Sequence, residues 1–288
     1  IGICQLVQHP ALDEATKGFK DALTEKLGDK VKFDEQNASG EATNCTTITS
    51  KFVSDKVDLI MANATDALAA ASQATADIPI VATSITDYAT ALGISDWTGK
   101  TGFNVTGTAD LAPLAEQAAM LKELVPDAKN VGILYCSAEK NSKYQADVIT
   151  KELEALGMTV KVYTFVDTND VTAVTQQMVT DACDAIFVPT DNTAASNTEA
   201  INNVLEPAKI PVIAGEEGIC KGCGIATLSI SYYDIGYKAG EMAYEILVNG
   251  KDPADMEIEY AKELTKKYMA DRAAAAGLTI PEGYEPIA

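Results

Sequence analysis

The fold is decided by two matching apolar stretches, Ile78-Pro79-Ile80-Val81-Ala82 and Ile210-Pro211-Val212-Ile213-Ala214. Each is a short run of β-branched and small residues that follows a segment of helical periodicity. Such runs, separated by helices, are typical of strands that a parallel sheet buries on both faces. Their spacing of 132 residues indicates that a whole structural unit is repeated along the chain.

Two further pairs occur in the same order and support this repeat. Ile1-Gly2-Ile3 matches Val131-Gly132-Ile133 at an offset of 130 residues. Val57-Asp58-Leu59-Ile60 matches Cys183-Asp184-Ala185-Ile186 at an offset of 126. The first half alternates strands with helices, the strands at 1–7, 31–35, 57–62 and 78–82 and the helices at 11–27, 41–54 and 66–75. We therefore predict an α/β protein of two lobes, each with a doubly wound parallel sheet.

Three extended segments are predicted to join the lobes, at 100–107, 225–231 and 257–260. Each precedes a predicted helix, at 109–124, 234–248 and about 265–276 respectively. The predicted lobes are 1–106 with 230–255, and 107–229 with 256–288. Three crossings between two α/β lobes predict a three-segment hinge and a ligand cleft between the lobes.

The composition fits a globular protein and excludes several functions. The chain has 288 residues, 47% of them hydrophobic, and a formal net charge of −20. A surface this acidic repels phosphate backbones and anionic lipid, so we expect no nucleic-acid partner. No apolar run approaches the ~20 residues of a membrane-spanning helix. The chain opens on an apolar strand without a methionine, and we expect that a secretory leader was removed upstream.

The six cysteines indicate structural roles. Four lie in apolar patterns and are expected to be small buried hydrophobes: Cys4, Cys45, Cys136 and Cys183. Cys220 and Cys223 form a CxxC pair in a Gly-rich turn before a strand, which indicates a local disulfide or two free thiols. A zinc site would require more ligands, and His9 is the only histidine. We expect neither a metal nor a cofactor.

Candidate binding residues follow the predicted strands. In open parallel sheets, ligands bind beyond the carboxyl ends of the strands, beside helix N-termini. The loops at that edge carry His9, Thr65, Ser84, Ile85, Thr86 and Asp87 in lobe one, and Asn141, Ser142, Asp191, Asn192 and Glu216 in lobe two, with Tyr232 beside the second crossing. The hydroxyls and helix N-termini of lobe one suit a carboxylate. The carboxylates of lobe two suit an ammonium group. Together they predict a zwitterion, and hence an α-amino acid, as the ligand.

These residues also have structural explanations. Thr65, Asp191 and the pair Asn141-Ser142 could cap helices. The segment 84–86 could be an ordinary polar loop, and Glu216 a surface residue. His9 precedes Pro10 at a helix start and could be purely structural. Because all these positions fall at the same edge of the two predicted sheets, we expect them to bind the ligand.

Several motifs resemble those of a known family. Gln8-His9-Pro10-Ala11-Leu12-Asp13, followed by Gly18-Phe19-Lys20, is similar to the opening of the ABC-transporter substrate-binding family that includes tryptophan- and phenylalanine-binding lipoproteins. Further similar motifs follow in order: Asn104-Val-Thr-Gly107, Leu124-Val-Pro126, Tyr135 through Asn141-Ser142, Val188-Pro-Thr-Asp-Asn192 and Tyr232-Tyr-Asp-Ile-Gly236. Family members often have Asp-Pro where this chain has Asp87-Tyr88.

The resemblance implies a type I periplasmic-binding-protein fold and no catalytic activity. It also implies an extracytoplasmic location, in the periplasm or on the outer face of the cell membrane, with a removed N-terminal lipid anchor. The implied partners are an ABC permease and ATPase, and we expect a monomer. The resemblance favours phenylalanine or tryptophan as ligand. Tyr88, Tyr232 and Ile85, which lie in or beside the edge loops, could form a flat apolar slot for such a ring.

Other functions remain open to test. A branched-chain amino acid would satisfy the same charged groups, and the fold could also serve as a ligand-sensing ectodomain. A transcriptional repressor would need a basic DNA-binding head, which this acidic sequence lacks. An enzyme is disfavoured because the sequence has one histidine, no phosphate-binding Gly-rich loop and no GxSxG motif.

Overall fold

The computed structural model describes residues 1–287, which form two compact units. Unit 1 comprises Ile1–Leu111 and Ser231–Lys262, and unit 2 comprises Ala112–Ile230 and the chain from Glu263 onward. The chain therefore passes from one unit to the other three times. Strands and helices are numbered below in chain order through both units.

Unit 1 contains a six-stranded sheet with helices on both faces. Its strands are β1 (Gly2–Gln5), β2 (Asp34–Asn37), β3 (Ile60–Asn63), β4 (Ile80–Ile85), β5 (Val105–Ala109) and β11 (Glu259–Tyr260). Its helices are α1 (Pro10–Leu27), α2 (Ala42–Ser54), α3 (Thr65–Ala74), α4 (Tyr88–Leu92) and α11 (Tyr232–Leu247), with 3₁₀ turns at Gly28–Lys30 and Pro253–Asp255. The strand order is β11-β5-β4-β3-β1-β2, and every neighbouring pair is parallel.

Unit 2 contains a seven-stranded sheet of related design. Its strands are β6 (Asn130–Cys136), β7 (Thr159–Phe165), β8 (Ala185–Val188), β9 (Val212–Ala214), β10 (Ala226–Ser229), β12 (Thr265–Tyr268) and β13 (Glu285–Pro286). Its helices are α5 (Leu114–Leu124), α6 (Lys140–Ala155), α7 (Val171–Thr180), α8 (Asn192–Ser196), α9 (Thr198–Ala208), α10 (Glu217–Cys223) and α12 (Ala270–Ala275). The order is β13-β12-β10-β9-β8-β6-β7, and β10 pairs with β12 antiparallel.

The predicted repeat is confirmed by the strand order. In unit 1 the first five strands are arranged β2-β1-β3-β4-β5, and in unit 2 the corresponding strands are arranged β7-β6-β8-β9-β10. The three sequence matches fall on equivalent strands, β1 with β6, β3 with β8, and β4 with β9. Their apolar side chains are buried because helices cover both faces of each sheet.

Two segments that the sequence predicted as linker or helix are strands. Val105–Ala109, expected to belong to the first crossing and the following helix, pairs with β4 and completes the sheet of unit 1. Residues 265–268, expected to open the C-terminal helix, form β12, and the helix begins only at Ala270. The crossings consequently fall after Leu111, Ile230 and Lys262 rather than after residues 106, 229 and 255. The helix expected at 109–124 begins at Leu114, directly after Pro113.

Helices α1 and α11 pack unusually closely within unit 1. A Cβ on Gly236 would lie 2.0 Å from the carbonyl oxygen of Ala15, and one on Gly18 would lie 2.1 Å from that of Tyr233. Only glycine permits this backbone approach. The contact fixes the start of α11, and with it Tyr232, against the sheet of unit 1.

All six cysteines are buried free thiols. This confirms the structural role expected for Cys4, Cys45, Cys136 and Cys183. Cys220 and Cys223 lie in the last turns of α10, so the segment that the sequence predicted as a turn is a short helix. Arg272 donates to the carbonyl oxygens of Lys221 and Gly222 at the end of that helix, each at 2.8 Å.

Candidate functional site

The carboxyl ends of β1 and β3 are joined to α1 by a buried amide and hydroxyl network. Gln5 donates to Asp13 at 2.7 Å, and Thr16 donates to Gln5 at 2.6 Å. Asn63 donates to the hydroxyl oxygen of Thr16 and to the backbone oxygen of Leu12. The network holds the strand ends and the start of α1 in fixed positions, which is the condition for a precise binding edge.

His9 and Thr65 lie at helix starts on this edge, as predicted. His9 is the N-cap of α1 and is buried, with Pro10 as the first helical residue. Thr65 is the first residue of α3 and is also buried. The residue before it, Ala64, has a φ of 88°. The strained backbone turns the chain sharply from β3 into the helix.

The end of β4 contains a second strained residue, Ser84. Its φ is 58°, and the register with β5 shifts between Ala82 and Ile85. Its side chain is buried, and its hydroxyl has no hydrogen-bond partner within residues 1–287. A buried hydroxyl without a partner costs about 1–3 kcal/mol. Ser84 therefore combines two unfavourable features at the carboxyl edge, a pattern associated with functional sites.

Asp110 follows β5 and joins two predicted site residues. It accepts hydrogen bonds from Thr86 at 3.2 Å and from the Tyr232 hydroxyl at 2.9 Å. Burial raises the pKa of its carboxyl above the ordinary value, and the two hydroxyl donors oppose that shift. Sequence reasoning missed Asp110 because the strand that precedes it was read as a linker. If the strand that ends at Ala109 had been recognised, Asp110 would have been predicted as a residue at its carboxyl end.

The remaining predicted residues of unit 1 point to its interior or cap a helix. Ile85 belongs to the apolar core of the unit. Asp87 is the N-cap of α4 and accepts from the backbone N–H of Thr90 at 2.7 Å. Tyr88 is the first residue of α4, a position that favours proline, which fits the Asp-Pro of the family motif.

The expectation that Tyr88 lines an apolar slot is wrong. Its hydroxyl donates to the backbone oxygens of Ala82 and Thr108, and its ring stacks on Trp97 at 6.4 Å between centroids. The ring is therefore part of the core of unit 1.

Unit 2 carries a pair of buried carboxylates at the equivalent edge. Asp191, the N-cap of α8, accepts from the N–H groups of Cys136 and Ala194, each at 2.7 Å, and from the hydroxyl of Ser142. Glu139, the N-cap of α6, is also buried. Among residues 1–287 neither carboxylate is paired with a Lys or Arg side chain.

Glu139 organises the loops around Asp191. One of its oxygens accepts from the N–H and hydroxyl of Thr193, and the other from the N–H and side-chain amide of Asn192, at 2.8–2.9 Å. The second oxygen also accepts from Asn141 at 3.1 Å. Sequence reasoning missed Glu139 because a lone acid in a polar loop carries no pattern. The N-cap position before α6 was the available signal.

Burial raises the pKa of Asp191 to about 8, and the negative charge of Glu139 contributes in the same direction. Hydrogen bonds from Ala194, Cys136 and Ser142 oppose the shift by stabilising the ionised form. The surroundings of Asp191 thus disfavour its ionised form. A cation placed beside Asp191 would lower this pKa, because it would favour the ionised carboxylate.

Asn141, Ser142 and Asn192 are brought together with Asp191, as predicted. Asn141 donates to the hydroxyl oxygen of Ser142 and to the backbone oxygen of Thr190. Gln145, one helical turn further along α6, exchanges hydrogen bonds with the backbone of Thr190. These contacts tie α6 to the end of β8 and orient the amides beside Asp191.

Glu216 lies at the end of β9 and serves as the N-cap of α10. Its carboxylate accepts from the N–H groups of Gly218 and Ile219. Its neighbour Glu217 instead accepts from Ser229 at 2.8 Å and Lys267 at 2.7 Å, which ties α10 to β10 and β12. Glu216 is thus buried at the predicted edge, while Glu217 acts in the fold of unit 2.

No group of three or more metal-ligating side chains occurs within the described part of the chain. No helix among residues 1–287 is long and apolar enough to cross a membrane.

Comparisons with known proteins agree with this architecture. Residues 1–283 match the family described as ABC transporter substrate binding protein. A tyrosine-binding protein of Clostridioides difficile is 40% identical over 261 residues, which cover 90% of this chain and 75% of that protein.

Solved structures show the same relationship. An ABC domain from Streptococcus pneumoniae in complex with L-tryptophan has a TM-score of 0.93 and 32% identity, with 99% of each chain covered. A ligand-free, open substrate-binding protein with adhesive properties from Clostridium difficile has a TM-score of 0.75 and 36% identity, with 99% of this chain and 98% of that one covered.

These matches settle the fold and the general class. The fold is that of the type I periplasmic-binding proteins, as the sequence resemblance implied. The matched proteins are extracytoplasmic substrate-binding proteins rather than enzymes, which confirms the prediction that this chain catalyses no reaction. The chain belongs to the ABC transporter substrate-binding protein family.

Proposed function

We propose that this chain binds a free α-amino acid with an aromatic side chain for uptake by an ABC importer. The observation that carries the proposal is the buried pair Asp191 and Glu139, which has no cationic side chain as partner within residues 1–287. Buried carboxyl groups without a counter-ion resist ionisation, and the ammonium group of a ligand would supply the positive charge that favours their ionised form.

The ligand carboxylate is assigned to the edge of unit 1. That edge offers the hydroxyls of Thr65 and Ser84 beside the N-terminus of α3, while the hydroxyl of Thr86 already donates to Asp110. Hydroxyl donors and helix N-termini favour an anion. The proposed arrangement gives the anionic end of the zwitterion to unit 1 and the cationic end to unit 2, with hinge closure about the three crossings as a further prediction.

The aromatic preference is supported by the relatives, one of which is named a tyrosine-binding protein and another of which is bound to L-tryptophan. Tyr232 is the aromatic side chain that stays a candidate for contact with the ligand ring. Burial of a ring removes ~150–250 Å² of apolar surface, which favours it over a short aliphatic side chain.

A thermal-shift panel of the twenty amino acids, followed by calorimetry of the best ligands, tests the proposal. A ligand that binds the folded state raises the melting temperature, and at equal concentration a tighter ligand raises it more. We expect tyrosine, tryptophan and phenylalanine to give the largest shifts. Larger shifts with leucine or valine would replace the aromatic assignment with a branched-chain one, and no shift with any amino acid would overturn the zwitterion assignment.

Two ligand analogues separate the contributions of the edges. Tyramine keeps the ammonium and lacks the carboxylate, and 3-(4-hydroxyphenyl)propionate keeps the carboxylate and lacks the ammonium. Both should bind much more weakly than tyrosine. Equal binding of the propionate and tyrosine would remove the role assigned to Asp191.

The remaining part of the proposal rests on the family match. The chain is proposed to act as a monomer with a membrane permease and its ATPase, tethered by an N-terminal lipid anchor. Uptake of labelled amino acid into cells that lack the gene, compared with complemented cells, tests the transport role.

A further inference from the structure

Strand β1 and helix α2 face each other across the core of unit 1. A Cβ on Gly2 would lie 2.5 Å from the ring of Phe52, so that ring covers Gly2 directly. Cys4 is on the same face of β1 as Gly2, because side chains two residues apart in a strand share a face. Cys45 is on the same face of α2 as Phe52, two helical turns earlier.

This register places the two cysteines opposite each other. Two residues span about 7 Å along a strand and seven residues span about 10 Å along a helix. The helix runs in the opposite direction to the strand. Because Phe52 lies against Gly2, Cys45, two turns earlier in the helix, is placed against Cys4, two residues later in the strand. Both cysteines have no solvent exposure and belong to the same apolar core.

The thiols of Cys4 and Cys45 are close enough to interact with each other. The interaction with Cys45 is the main cause, and burial the second cause, that raises the pKa of the Cys4 thiol far above its ordinary range. The thiolate is the nucleophile in disulfide exchange, so Cys4 is unreactive while the core stays closed. Oxidation of the pair would take place during folding or through local opening of α2.

The other cysteines are placed differently. The thiols of Cys136, Cys183 and Cys223 each donate to an oxygen atom: to Val166 at 3.3 Å, to the Tyr163 hydroxyl at 3.5 Å and to Ile219 at 3.4 Å, respectively. Cys220 and Cys223 both lie within one short helix. A bond between them would close a loop of a single turn, which restricts the unfolded chain much less than a bond between Cys4 and Cys45.

We propose that Cys4 and Cys45 form a disulfide that fastens α2 to β1 when the chain folds under oxidising conditions. Substrate-binding proteins of this family act outside the cytoplasm, where disulfides persist. With a small disulfide as oxidant, one thiolate attacks it and releases one small thiol. The second cysteine then displaces the other, so two thiols are oxidised as one disulfide is reduced to two thiols.

The test is refolding in a glutathione redox buffer, followed by alkylation of free thiols and peptide mapping without reduction. We expect a mass loss of about 2 Da, one cross-link between the peptides that contain Cys4 and Cys45, and a melting temperature roughly 5 °C above that of the reduced protein. The mapping uses the unaltered chain, so it does not depend on any variant folding.

Two variants complete the experiment. Cys183→Ala should keep the cross-link and the stabilisation, because its thiol contacts Tyr163 and not another thiol. Cys45→Ala should lose both. Alkylation of both Cys4 and Cys45 after oxidative refolding, or a dominant cross-link between any other two cysteines, would overturn the proposal whether or not the protein binds an amino acid.

Discussion

The two units share a strand order but differ in the chemistry of their carboxyl edges. The edge of unit 1 is rich in hydroxyls and amides, and a deeply buried carboxyl there, Asp110, is held by two hydroxyl donors. The edge of unit 2 holds Asp191, Glu139 and Glu216, each buried and each bonded to backbone N–H groups. The fold positions both edges in the same way, and the loop residues decide which charge each edge favours.

The comparison also separates two ways to hold a carboxylate. At the opposite end of the unit 2 sheet, Asp184 accepts from the N–H groups of Lys129 and Asn130 at 2.9 and 2.8 Å. Those bonds lower the pKa of Asp184. Asp191 has an equal number of backbone donors, yet burial dominates and its pKa rises to about 8. The two aspartates differ in solvent access and in the nearby negative charge of Glu139, not in the number of backbone hydrogen bonds.

The largest expected effect comes from Asp191→Ala. If this carboxylate holds the ligand's ammonium, its removal leaves a buried cation unpaired and costs about 2–5 kcal/mol of binding. Calorimetry with the best amino acid should show at least a ten-fold loss of affinity. Asp184→Ala removes a carboxylate with matched backbone contacts from the far end of the same sheet, and it should bind as the unaltered protein does. Equal affinity in all three proteins would reduce Asp191 to a helix cap.

The second effect is a dependence of stability on pH. With a folded pKa of about 8, Asp191 keeps its proton in the folded chain while the unfolded chain releases it near pH 4. Its contribution to stability is complete below pH 4 and is lost as pH rises to about 8, at no more than ~1.4 kcal/mol per pH unit. The melting temperature of the unaltered protein should therefore fall relative to that of Asp191→Asn between pH 5 and 8.

Asp181→Asn is the matched control for this titration. Lys161, Tyr163 and Gln177 lower the pKa of Asp181 to about 2, so it is fully ionised throughout this pH range. The difference between the unaltered protein and Asp181→Asn should be constant from pH 5 to 8. Parallel curves for Asp191→Asn as well would show that Asp191 titrates normally.

Sequence patterns predicted the fold where the strands are apolar. β8 and β9 are continuous apolar runs and β3 and β4 begin as such runs, and the burial of these strands is fixed by helices on both faces. β5 and β12 escaped prediction, because Val-Thr-Gly-Thr-Ala reads as a linker and Thr-Lys-Lys-Tyr reads as a helix start. Both strands are specified by pairing with strands distant in the sequence, Ile80–Ile85 for one and Ala226–Ser229 for the other.

The site could be predicted in position but not in contacts. Residues that follow recognised strands, such as Thr65 and Asp191, lie at the carboxyl edges because the sheet topology puts them there. The Tyr88 side chain is buried in the core, and Glu139 accepts five hydrogen bonds. Both features depend on side-chain packing that no local sequence pattern predicts. The helix-cap and ligand roles of Asp191 are also compatible, since a carboxylate has about four acceptor positions.

The smallest effect tests the hydroxyl edge of unit 1. Ser84→Ala removes a buried hydroxyl that has no hydrogen-bond partner in the described structure, so it should stabilise the ligand-free protein by about 1 kcal/mol. If that hydroxyl donates to the ligand carboxylate, the same change should weaken binding about three- to ten-fold. Stability and affinity would then move in opposite directions.

Thr227→Val provides the comparison in unit 2. Its hydroxyl is also fully buried and lacks a hydrogen-bond partner among residues 1–287, but it lies within β10 rather than beyond a strand end. The substitution should stabilise the fold to a similar degree and leave affinity unchanged. Melting temperatures of the ligand-free proteins and calorimetry with the best amino acid give both quantities. A Ser84→Ala protein that binds as tightly as Thr227→Val would show that the strained end of β4 serves the fold alone, and the ligand carboxylate would then have to be assigned to Thr65 and the N-terminus of α3.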